Sequence, residues 1–380
     1  MKEIGKIKDA CTVIAGQSPK GTSYNENGEG MEFHQGKKAF GDSIIESSNV
    51  WTTEITKIAE PGDILMSVRA PVGPTNITDR KICIGRGLAA IRCNKDIIPH
   101  YILYALRNIE SKIIGNDGAV FNSINKKQIE DLPLPLLSIA EQQSIVDYLD
   151  SAFAKIDAMK ANAENALNEA KALFQSSLKE MLEPKEGWEY KKLGEVCEII
   201  RGKRFVRADI VEDGVPCIHY GDIYTHYGLS VTKTRGYVKP ELAKKLRFAK
   251  KNDVVVVQAG ENNWDIGVGV AYFGEEPAVV HDACFILRHT QDPMYISYYL
   301  RSYNYHRYLV DYVHEGKICS FLKPALENAP FPLPPLSEQQ SIVDTLDSIK
   351  SKVNRLQANY DKISQECDAL KQAILRQVFE

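Results

Sequence analysis

The chain has 380 residues, of which 44% are hydrophobic and 26% are charged, so it is too apolar for global disorder and long enough for two or three globular cores. Its formal net charge of −3 offers little nonspecific attraction to nucleic acid, which depends on lysine and arginine. The eight cysteines include no CxxC pair, and no stretch has the ~18 apolar residues of a membrane helix. We therefore expect no zinc site, no dense disulfide framework, no membrane insertion and a reducing, cytoplasmic location.

Two large blocks, residues 1–132 and 185–329, contain short apolar runs separated by clusters rich in Gly, Asn and Pro, such as GQSPKG and AGENNWDIG. Short apolar runs bounded by turn residues are typical of strands. We predict an α+β fold for each block, with strands at 64–68, 88–91, 254–257 and 284–287 and short helices at 101–107 and 295–301.

An internal repeat organises the chain. PLPLLSIAEQQSIVDYLDS at 133–151 aligns without gaps on PFPLPPLSEQQSIVDTLDS at 330–348, an offset of 197 residues. Weaker matches precede each copy, so the chain is a tandem duplication of about 190 residues. The predicted boundaries are 1–132 and 185–329 for the two globular domains and 133–184 and 330–380 for two helical repeats.

The helical repeats have an apolar heptad seam, which is typical of coiled coils. The second seam runs through Ile342, Leu346, Ile349, Val353, Leu356, Tyr360, Ile363, Cys367, Leu370, Ile374 and Val378. The same positions of the first repeat include Ala152, Met159, Ala163, Ala166, Ala170 and Leu173, so small side chains would face large ones. Packing of each helix on its own domain is the alternative. We favour an antiparallel coiled coil that relates the two domains by a pseudo-two-fold axis.

A family resemblance follows from three motifs. GDILMSVRAPVG, CIGRGLAAIRC and the repeated PLPPLSEQQSIVDTLDS type of segment resemble the specificity subunits of type I restriction-modification enzymes, over essentially the whole chain. The resemblance implies two target-recognition domains that each read one half of a split site in double-stranded DNA. It also implies helices that set the gap between the half-sites and dock two methyltransferase subunits, through which restriction and translocase subunits join.

Candidate contact residues are polar side chains on loops, because Arg and Lys read guanine and Asn and Gln read adenine in the major groove. Those in the first block are Gln17, Ser18, Lys20, Gln35, Lys37, Lys38, Arg69 and Arg86. Those in the second are Arg201, Lys203, Arg204, Tyr220, Asp222, Tyr224, Gln258, Asn262, Asn263 and Trp264. Each could instead be a solvated turn residue, and Trp264 could be a core anchor. The predicted partner-docking residues begin the two helices: Glu141, Gln142, Gln143, Glu338, Gln339 and Gln340.

Catalytic motifs are near misses. The segment from Gly30 to Lys38 lacks the spacing and the Ser/Thr of a phosphate loop, and Gly267-Val-Gly269 lacks the third glycine of a dinucleotide site. The chain has no Asn/Asp-Pro-Pro-aromatic methyltransferase signature, and its histidines lack metal-ligand spacing. We expect a non-catalytic protein without a cofactor or metal. The rival hypotheses are a self-sufficient methyltransferase or nuclease, and a coiled-coil adaptor whose two domains bind protein or glycan.

Overall fold

The computed structural model describes residues 3–113, 123–263, 265–316 and 318–380. The chain divides into a first unit, Met1–Glu164 with Tyr360–Glu380, and a second unit, Asn165–Asn359. Each boundary falls inside a long helix, α4 (Ile139–Met181) or α11 (Leu336–Phe379). Each unit therefore combines one globular domain with a part of both helices. The four domain boundaries given above stay a prediction.

The first unit contains two sheets, with strand orders β2-β10-β7-β8 and β3-β5-β4-β9-β6, and β1 pairs with β11. Its strands are β1 (Glu3–Lys6), β2 (Cys11–Ala15), β3 (Tyr24–Asn25), β4 (Met31–His34), β5 (Trp51–Thr52), β6 (Ile58–Ala59), β7 (Ile64–Ser67), β8 (Thr75–Ile77), β9 (Ile82–Ile84), β10 (Leu88–Cys93) and β11 (Pro133–Leu136). Its short helices are α1 (Ile7–Ala10), α2 (Pro99–Ile113) and α3 (Lys126–Glu130).

Strand β7 explains why the sequence shows a continuous apolar run there. Ile64 and Met66 pack into the core that contains α2, whereas Leu65 belongs to the core formed with the second sheet. Successive side chains point to opposite faces of a strand, so a strand buried on both faces needs apolar residues at every position. The predicted strands at 64–68 and 88–91 are therefore found with shifts of one or two residues at their ends.

The second unit repeats this architecture, with strand orders β13-β23-β19-β21-β16 and β14-β17-β15-β22-β18, and with β12 paired to β25 and β20 to β24. Its strands are β12 (Glu189–Lys192), β13 (Glu198–Arg201), β14 (Ile210–Val211), β15 (Val215–Ile218), β16 (Ser230–Val231), β17 (Gly236–Val238), β18 (Phe248–Ala249), β19 (Val254–Val257), β20 (Ala259–Gly260), β21 (Gly269–Tyr272), β22 (Ala278–Val280), β23 (Cys284–Arg288), β24 (Cys319–Ser320) and β25 (Pro330–Leu333). Its helices are α5 (Leu193–Val196), α6 (Tyr220–Thr225), α7 (Pro240–Ala243), α8 (Pro293–Tyr299), α9 (Tyr303–Val310) and α10 (Lys323–Glu327).

The two long helices pair in antiparallel fashion, which confirms the predicted α+β repeat with a coiled coil. In the first unit the Lys371 ammonium lies 2.5 Å from Asp157, and Lys160 lies 3.6 Å from Asp368. Residue numbers thus rise along α4 as they fall along α11. In the second unit Lys171 of α4 donates to Gln357 of α11 over 2.8 Å. Within the described part of the chain, no helix is both long and apolar enough to span a lipid bilayer.

The predicted seam of α4 is wrong at three positions. Met159, Ala166 and Leu173, which were assigned to the seam, are exposed, whereas Leu167 and Phe174 face inward. At the last two places a shift of one residue brings a larger apolar side chain into the seam and so buries more apolar surface. The first turns of both helices also pack on their own domains, so the alternative interpretation holds for that part.

Each domain is fastened to its long helix by buried hydrogen bonds that repeat in both units. The Tyr101 hydroxyl donates to the carbonyl of Pro135 over 2.7 Å, and that of Tyr104 donates to Asp150 over 2.5 Å. In the second unit the hydroxyls of Tyr295 and Tyr298 donate in the same way to Pro332 and Asp347. The duplication is thus preserved at the level of single hydrogen bonds.

The helix-start glutamines belong to this fastening. Gln142 is fully buried; its amide accepts from the backbone N–H of Ile98 over 2.9 Å and donates to the carbonyls of Asp96 and Leu137. Gln339 is also fully buried, accepts from the N–H of Asp292, and donates to Gln291 and Pro334. The docking prediction is therefore corrected at these two positions, since a buried amide with three internal partners cannot contact another protein.

Replacing Gln142 with Ala should lower the free energy of unfolding of the first unit by about 2–4 kcal/mol, because it leaves a buried N–H and two carbonyls without partners. The neighbouring Gln143 is exposed and donates only to Asp147 on the same helix, so Gln143→Ala should cost less than about 0.5 kcal/mol. Urea denaturation of both variants measures the difference. Equal losses would contradict the structural role of Gln142.

Candidate nucleic-acid interface

Three loops of the first unit meet at one end of its two sheets: residues 16–20, 34–38 and 84–88. Backbone hydrogen bonds join them, because the N–H of Gly16 donates to Leu88 over 2.9 Å, that of Gln17 to Ile84 over 3.0 Å, and that of Gly85 to His34 over 2.8 Å. We call these the first-cleft loops. They bring together residues that lie up to 72 positions apart in the sequence.

The second unit has the same arrangement in residues 202–206, 218–222 and 280–284, the second-cleft loops. The N–H of Gly202 donates to Cys284 over 2.9 Å, that of Lys203 to Val280 over 2.9 Å, and that of His281 to Ile218 over 3.2 Å. Position by position, Gln17 corresponds to Lys203 and Gly85 to His281. Equivalent backbone bonds thus hold different side chains.

Glycine at 16 and 202 is required by the close approach of these loops. A Cβ on Gly16 would lie 2.2 Å from the carbonyl oxygen of Gly85, and one on Gly202 would lie 2.1 Å from that of His281. Backbone atoms cannot yield at such distances without moving the loop. Glycine at these two positions therefore allows the loops to approach this closely.

The first cleft has a volume of about 660 Å³ and brings together four of the predicted contact residues, Ser18, Gln35, Lys38 and Arg86. The Ser18 hydroxyl donates to the amide oxygen of Gln35 over 2.8 Å and accepts from the Nε of Arg86 over 3.3 Å. The stacked rings of Tyr24 and Phe33, 4.8 Å apart, line the same cleft. A guanidinium and an amide are thus presented next to an aromatic surface.

The other candidates of the first unit surround this cleft. Gln17, Lys20 and Lys37 are exposed. Arg69 is exposed and shares with Arg86 a smaller adjacent cavity of about 290 Å³. Lys20, Lys37 and Arg69 thus place positive charge beside the first cleft.

The second cleft, of about 560 Å³, contains the predicted residues Tyr220, Asp222 and Tyr224, which all lie on α6. It also contains residues that sequence reasoning missed, including Arg207 and Arg235. No pattern in the sequence marked these two arginines, because they enter the cleft through pairing of β14, β15 and β17.

The remaining predicted contact residues of the second unit lie in two places. Arg201, Lys203 and Arg204 are exposed at the second-cleft loops, and Arg201 donates to the carbonyl of Asp282 over 3.0 Å. Asn262 is exposed, and the amide of Asn263 donates to Glu315 over 2.5 Å. Trp264 lies outside the described residues.

The prediction that Gln258 contacts DNA is wrong. It is only 8% exposed, and its amide donates to the carbonyl of Phe321 over 2.7 Å. Its position directly after β19 suggested a loop side chain, but the bond to Phe321 holds it in the core. It has no surface to offer a nucleic acid.

A partly buried ion pair supports the wall of the first cleft. Arg80 donates to both oxygens of Glu32, over 2.7 and 3.1 Å, and the N–H of Ser48 in the wall donates to Glu32 over 2.9 Å. Although burial alone would raise the pKa of Glu32, these hydrogen bonds hold it at about 2. The carboxylate therefore stays charged and keeps the wall in place.

Three histidines of the second unit hold turns: His219 and His281 in the second-cleft loops, and His289 after the other end of β23. The Nδ1 atoms of His219, His281 and His289 accept from the backbone N–H two residues ahead, over 3.1–3.3 Å. Burial lowers the pKa of all three imidazoles, and the mutual repulsion with His281 lowers that of His219 further. Each ring must be neutral to accept, so protonation would break these turns.

The predicted docking residues that remain exposed are Glu141, Gln143 and Gln340, and Glu338 is half-buried. Glu141 also caps its helix, since it accepts from the backbone N–H and the hydroxyl of Ser138. Exposed apolar side chains lie beside them in the same helix starts: Ile139, Tyr148 and Leu336.

Two clefts at equivalent positions of a duplicated scaffold define a protein with two recognition domains, and comparison with known proteins gives its class. A family profile described as type I restriction modification DNA specificity domain matches residues 2–169 and 185–365. The chain therefore belongs to this family and carries its domain twice.

Relatives and solved structures agree with this assignment. The MjaX type I restriction enzyme specificity subunit of Methanocaldococcus jannaschii is 45% identical over 140 residues, which are 36% of this chain and 32% of that protein. The MjaVIII specificity subunit of the same organism is 23% identical over 92% of this chain and 86% of its own length.

Two solved structures share the fold. One is a chain described under "Structural basis underlying complex assembly and conformational transition of the type I R-M system", with a TM-score of 0.77 at 19% identity, covering 100% of this chain and 97% of that chain. The other is the HsdS subunit of Thermoanaerobacter tengcongensis, with a TM-score of 0.60 at 20% identity, covering 99% of this chain and 96% of that chain.

Because histidines hold these turns, we predict that acid lowers the stability of the second unit. Because the folded pKa lies below the ordinary 6.5, the unfolded state binds protons first, so stability is full above about pH 6.5 and declines as the pH falls towards the folded pKa. Asn retains an acceptor for each turn but does not titrate. Hydrogen–deuterium exchange at pH 7.5 and 5.5 should show loss of protection in the second unit of the wild type and a smaller loss in a His219→Asn, His281→Asn, His289→Asn variant. An equal loss in both proteins would refute the role of these rings.

Proposed function

We propose that this chain is the specificity subunit of a type I restriction-modification complex and that each cleft reads one half of a bipartite site in double-stranded DNA. The observation that carries the proposal is the pair of clefts: equivalent backbone bonds join the loops at both, yet the side chains that line them differ. One scaffold used twice with different side chains suits a protein that reads two different half-sites at a fixed separation.

Base readout in the first cleft would come from Arg86 and Gln35. A guanidinium suits the O6 and N7 acceptors of guanine, and a carboxamide suits the N6 and N7 of adenine. The flanking Lys20, Lys37 and Arg69 would contact phosphates, which positions the domain without reading sequence. In the second cleft Tyr220, Asp222 and Tyr224 would face the bases, with Lys203 and Arg204 at the backbone.

The near-neutral charge of both blocks means that phosphate contacts alone give modest affinity. A basic partner would complete the grip on DNA. The exposed helix starts offer the docking surfaces: Glu141 and Gln143 with Ile139 and Tyr148 on α4, and Gln340 with Leu336 on α11. We assign these two equivalent surfaces to two methyltransferase subunits, with restriction and translocase subunits recruited through them.

In this scheme the chain itself catalyses nothing and needs no cofactor or metal; adenine methylation and cleavage are performed by its partners. The long helices set the gap between the half-sites, and the complex acts where cellular DNA lies, in the cytoplasm. The alternative of an adaptor with protein- or glycan-binding domains is not supported, because the DNA specificity domain profile matches both halves of the chain.

The first test is co-expression with the partner methyltransferase, followed by long-read mapping of methylated adenines. A split motif should be present only when this chain is present. Replacing residues 1–132 with the equivalent block of another specificity subunit should change one half of the motif and leave the other half and the gap unchanged. A change in both halves would refute modular reading, and no motif with a stable complex would refute the proposed function.

Helix length provides a second test. Deleting one heptad from each helix, residues 161–167 of α4 and 358–364 of α11, preserves the seam of the antiparallel pair. Seven residues rise about 10 Å, so the gap should shorten by about three base pairs while both half-sites stay the same. Mapping of methylated adenines measures the gap. An unchanged gap in a folded variant would show that the helices do not set it.

A further inference from the structure

Strand register places Asn49 of the first unit and Arg235 of the second at the same structural position. Cys83 pairs with Phe33 as Val279 pairs with Cys217, so the central strands β4 and β15 correspond residue by residue. Along the neighbouring strands, Trp51 is opposite Glu32 as Tyr237 is opposite Pro216. Counting back two residues from these partners reaches Asn49 and Arg235, which are separated by 186 positions in the sequence.

Both residues line their clefts. Neither residue was among the candidates from sequence, and nothing in the flanking residues connects them. The equivalence comes only from the pairing of the strands.

Asn49 is presented by a fixed turn. Its φ of 54° lies in the left-handed region, its N–H donates to the Ser47 hydroxyl over 3.3 Å, and the adjacent Ser48 is held by the buried carboxylate of Glu32. The side chain is exposed, and among the described residues no hydrogen bond to its carboxamide is found. The backbone is therefore fixed while the amide remains available.

Arg235 is presented in a similar way. Its N–H donates to the Tyr227 hydroxyl over 2.9 Å, which fixes the backbone. Its side chain is 54% exposed, with a guanidinium nitrogen 3.5 Å from Asp222. That distance is too long for a strong hydrogen bond, so the N–H donors of the guanidinium stay available beside Asp222.

We propose that Asn49 and Arg235 are specificity-determining residues, with Asn49 reading an adenine in one half-site and Arg235 a guanine in the other. The assignment rests on the proposed function and deepens it, because it names one equivalent reading position in two clefts. An Asn carboxamide pairs with the N6 and N7 of adenine, and an Arg guanidinium pairs with the O6 and N7 of guanine. Substitution at this position would change a half-site without changing the fold.

The chain supplies a matched control for Asn49. Asn252 also has a left-handed backbone, with φ 72°, but it lies in the turn before β19, where the first unit has Gly62 with φ 87°. Its conformation is explained by the turn, and it lines neither cleft. Glycine accepts φ values of this kind, so Asn49→Gly and Asn252→Gly each delete one amide without straining the backbone.

The experiment is methylome mapping in cells that co-express the partner methyltransferase with the wild-type chain or with one variant. Asn49→Gly should make one adenine of one half-site degenerate, with a loss of discrimination of about tenfold or more. Arg235→Ala should do the same for one guanine of the other half-site. Asn252→Gly and Lys233→Ala, which remove an amide and a nearby exposed cation outside the clefts, should leave the motif unchanged.

The outcomes separate the assignment from the proposed function. A wild-type split motif that stays unchanged in both cleft variants would overturn the assignment alone, as would changes that fall in the same half-site. A wild-type chain that directs no split motif would overturn the proposed function and the assignment with it. If a cleft variant loses methylation altogether, selection of randomised duplexes by its purified methyltransferase complex replaces the mapping: a degenerate position supports the assignment, and an unaltered motif overturns it.

Discussion

The fastening of each domain to its long helix is the constraint on which the other features depend. Gln142 and Gln339 place a buried carboxamide between the helix start and the loop that precedes α2 or α8, and all of its hydrogen bonds are made inside the protein. A buried amide that loses such partners is costly, so the helix can begin at one place only. The hydrogen bonds from Tyr104 to Asp150 and from Tyr298 to Asp347 attach each domain at a second point further along its helix. Each domain therefore has one orientation on its own helix start.

The residues that attach each domain to its helix are different from the residues that line the clefts. The residues that hold the domains on the helices and the strands together are repeated between the units, including the buried Asp63 with Arg92 and Asp253 with Arg288. The side chains that enter the clefts are not repeated: Gln35 stands where the second unit has His219, and Asn49 where it has Arg235. Since the cleft loops are held by backbone hydrogen bonds, their side chains can change without loss of those bonds. A reader of split sites needs that separation, because each half-site can then change independently.

The two clefts use ionisable side chains differently. In the first, the Glu32 carboxylate, with a pKa of about 2, pairs with Arg80 and lies 2.9 Å from the buried His34 imidazole, whose pKa is lowered by burial. In the second, the neutral His219 and His281 rings accept hydrogen bonds from the turns, at positions where the first unit has Gln35 and Gly85. One scaffold thus contains two electrostatic designs, and the difference follows from the residues that replaced one another after duplication.

The sequence by itself determined the duplication, the α+β class, the buried strands and the presence of two long helices, because these features depend on local periodicity and on repeats that are visible along the chain. It also supplied four residues of the first cleft, since Ser18, Gln35, Lys38 and Arg86 lie on loops marked by glycine and proline. Only the tertiary structure decided which glutamine of each Glu-Gln-Gln start is buried, because that depends on a loop more than forty residues away. It likewise decided that Leu167 rather than Ala166 belongs to the seam, and that Gln258 is internal. The structural equivalence of Asn49 and Arg235 is the clearest case, because strand register relates residues far apart in sequence and no local pattern carries that information.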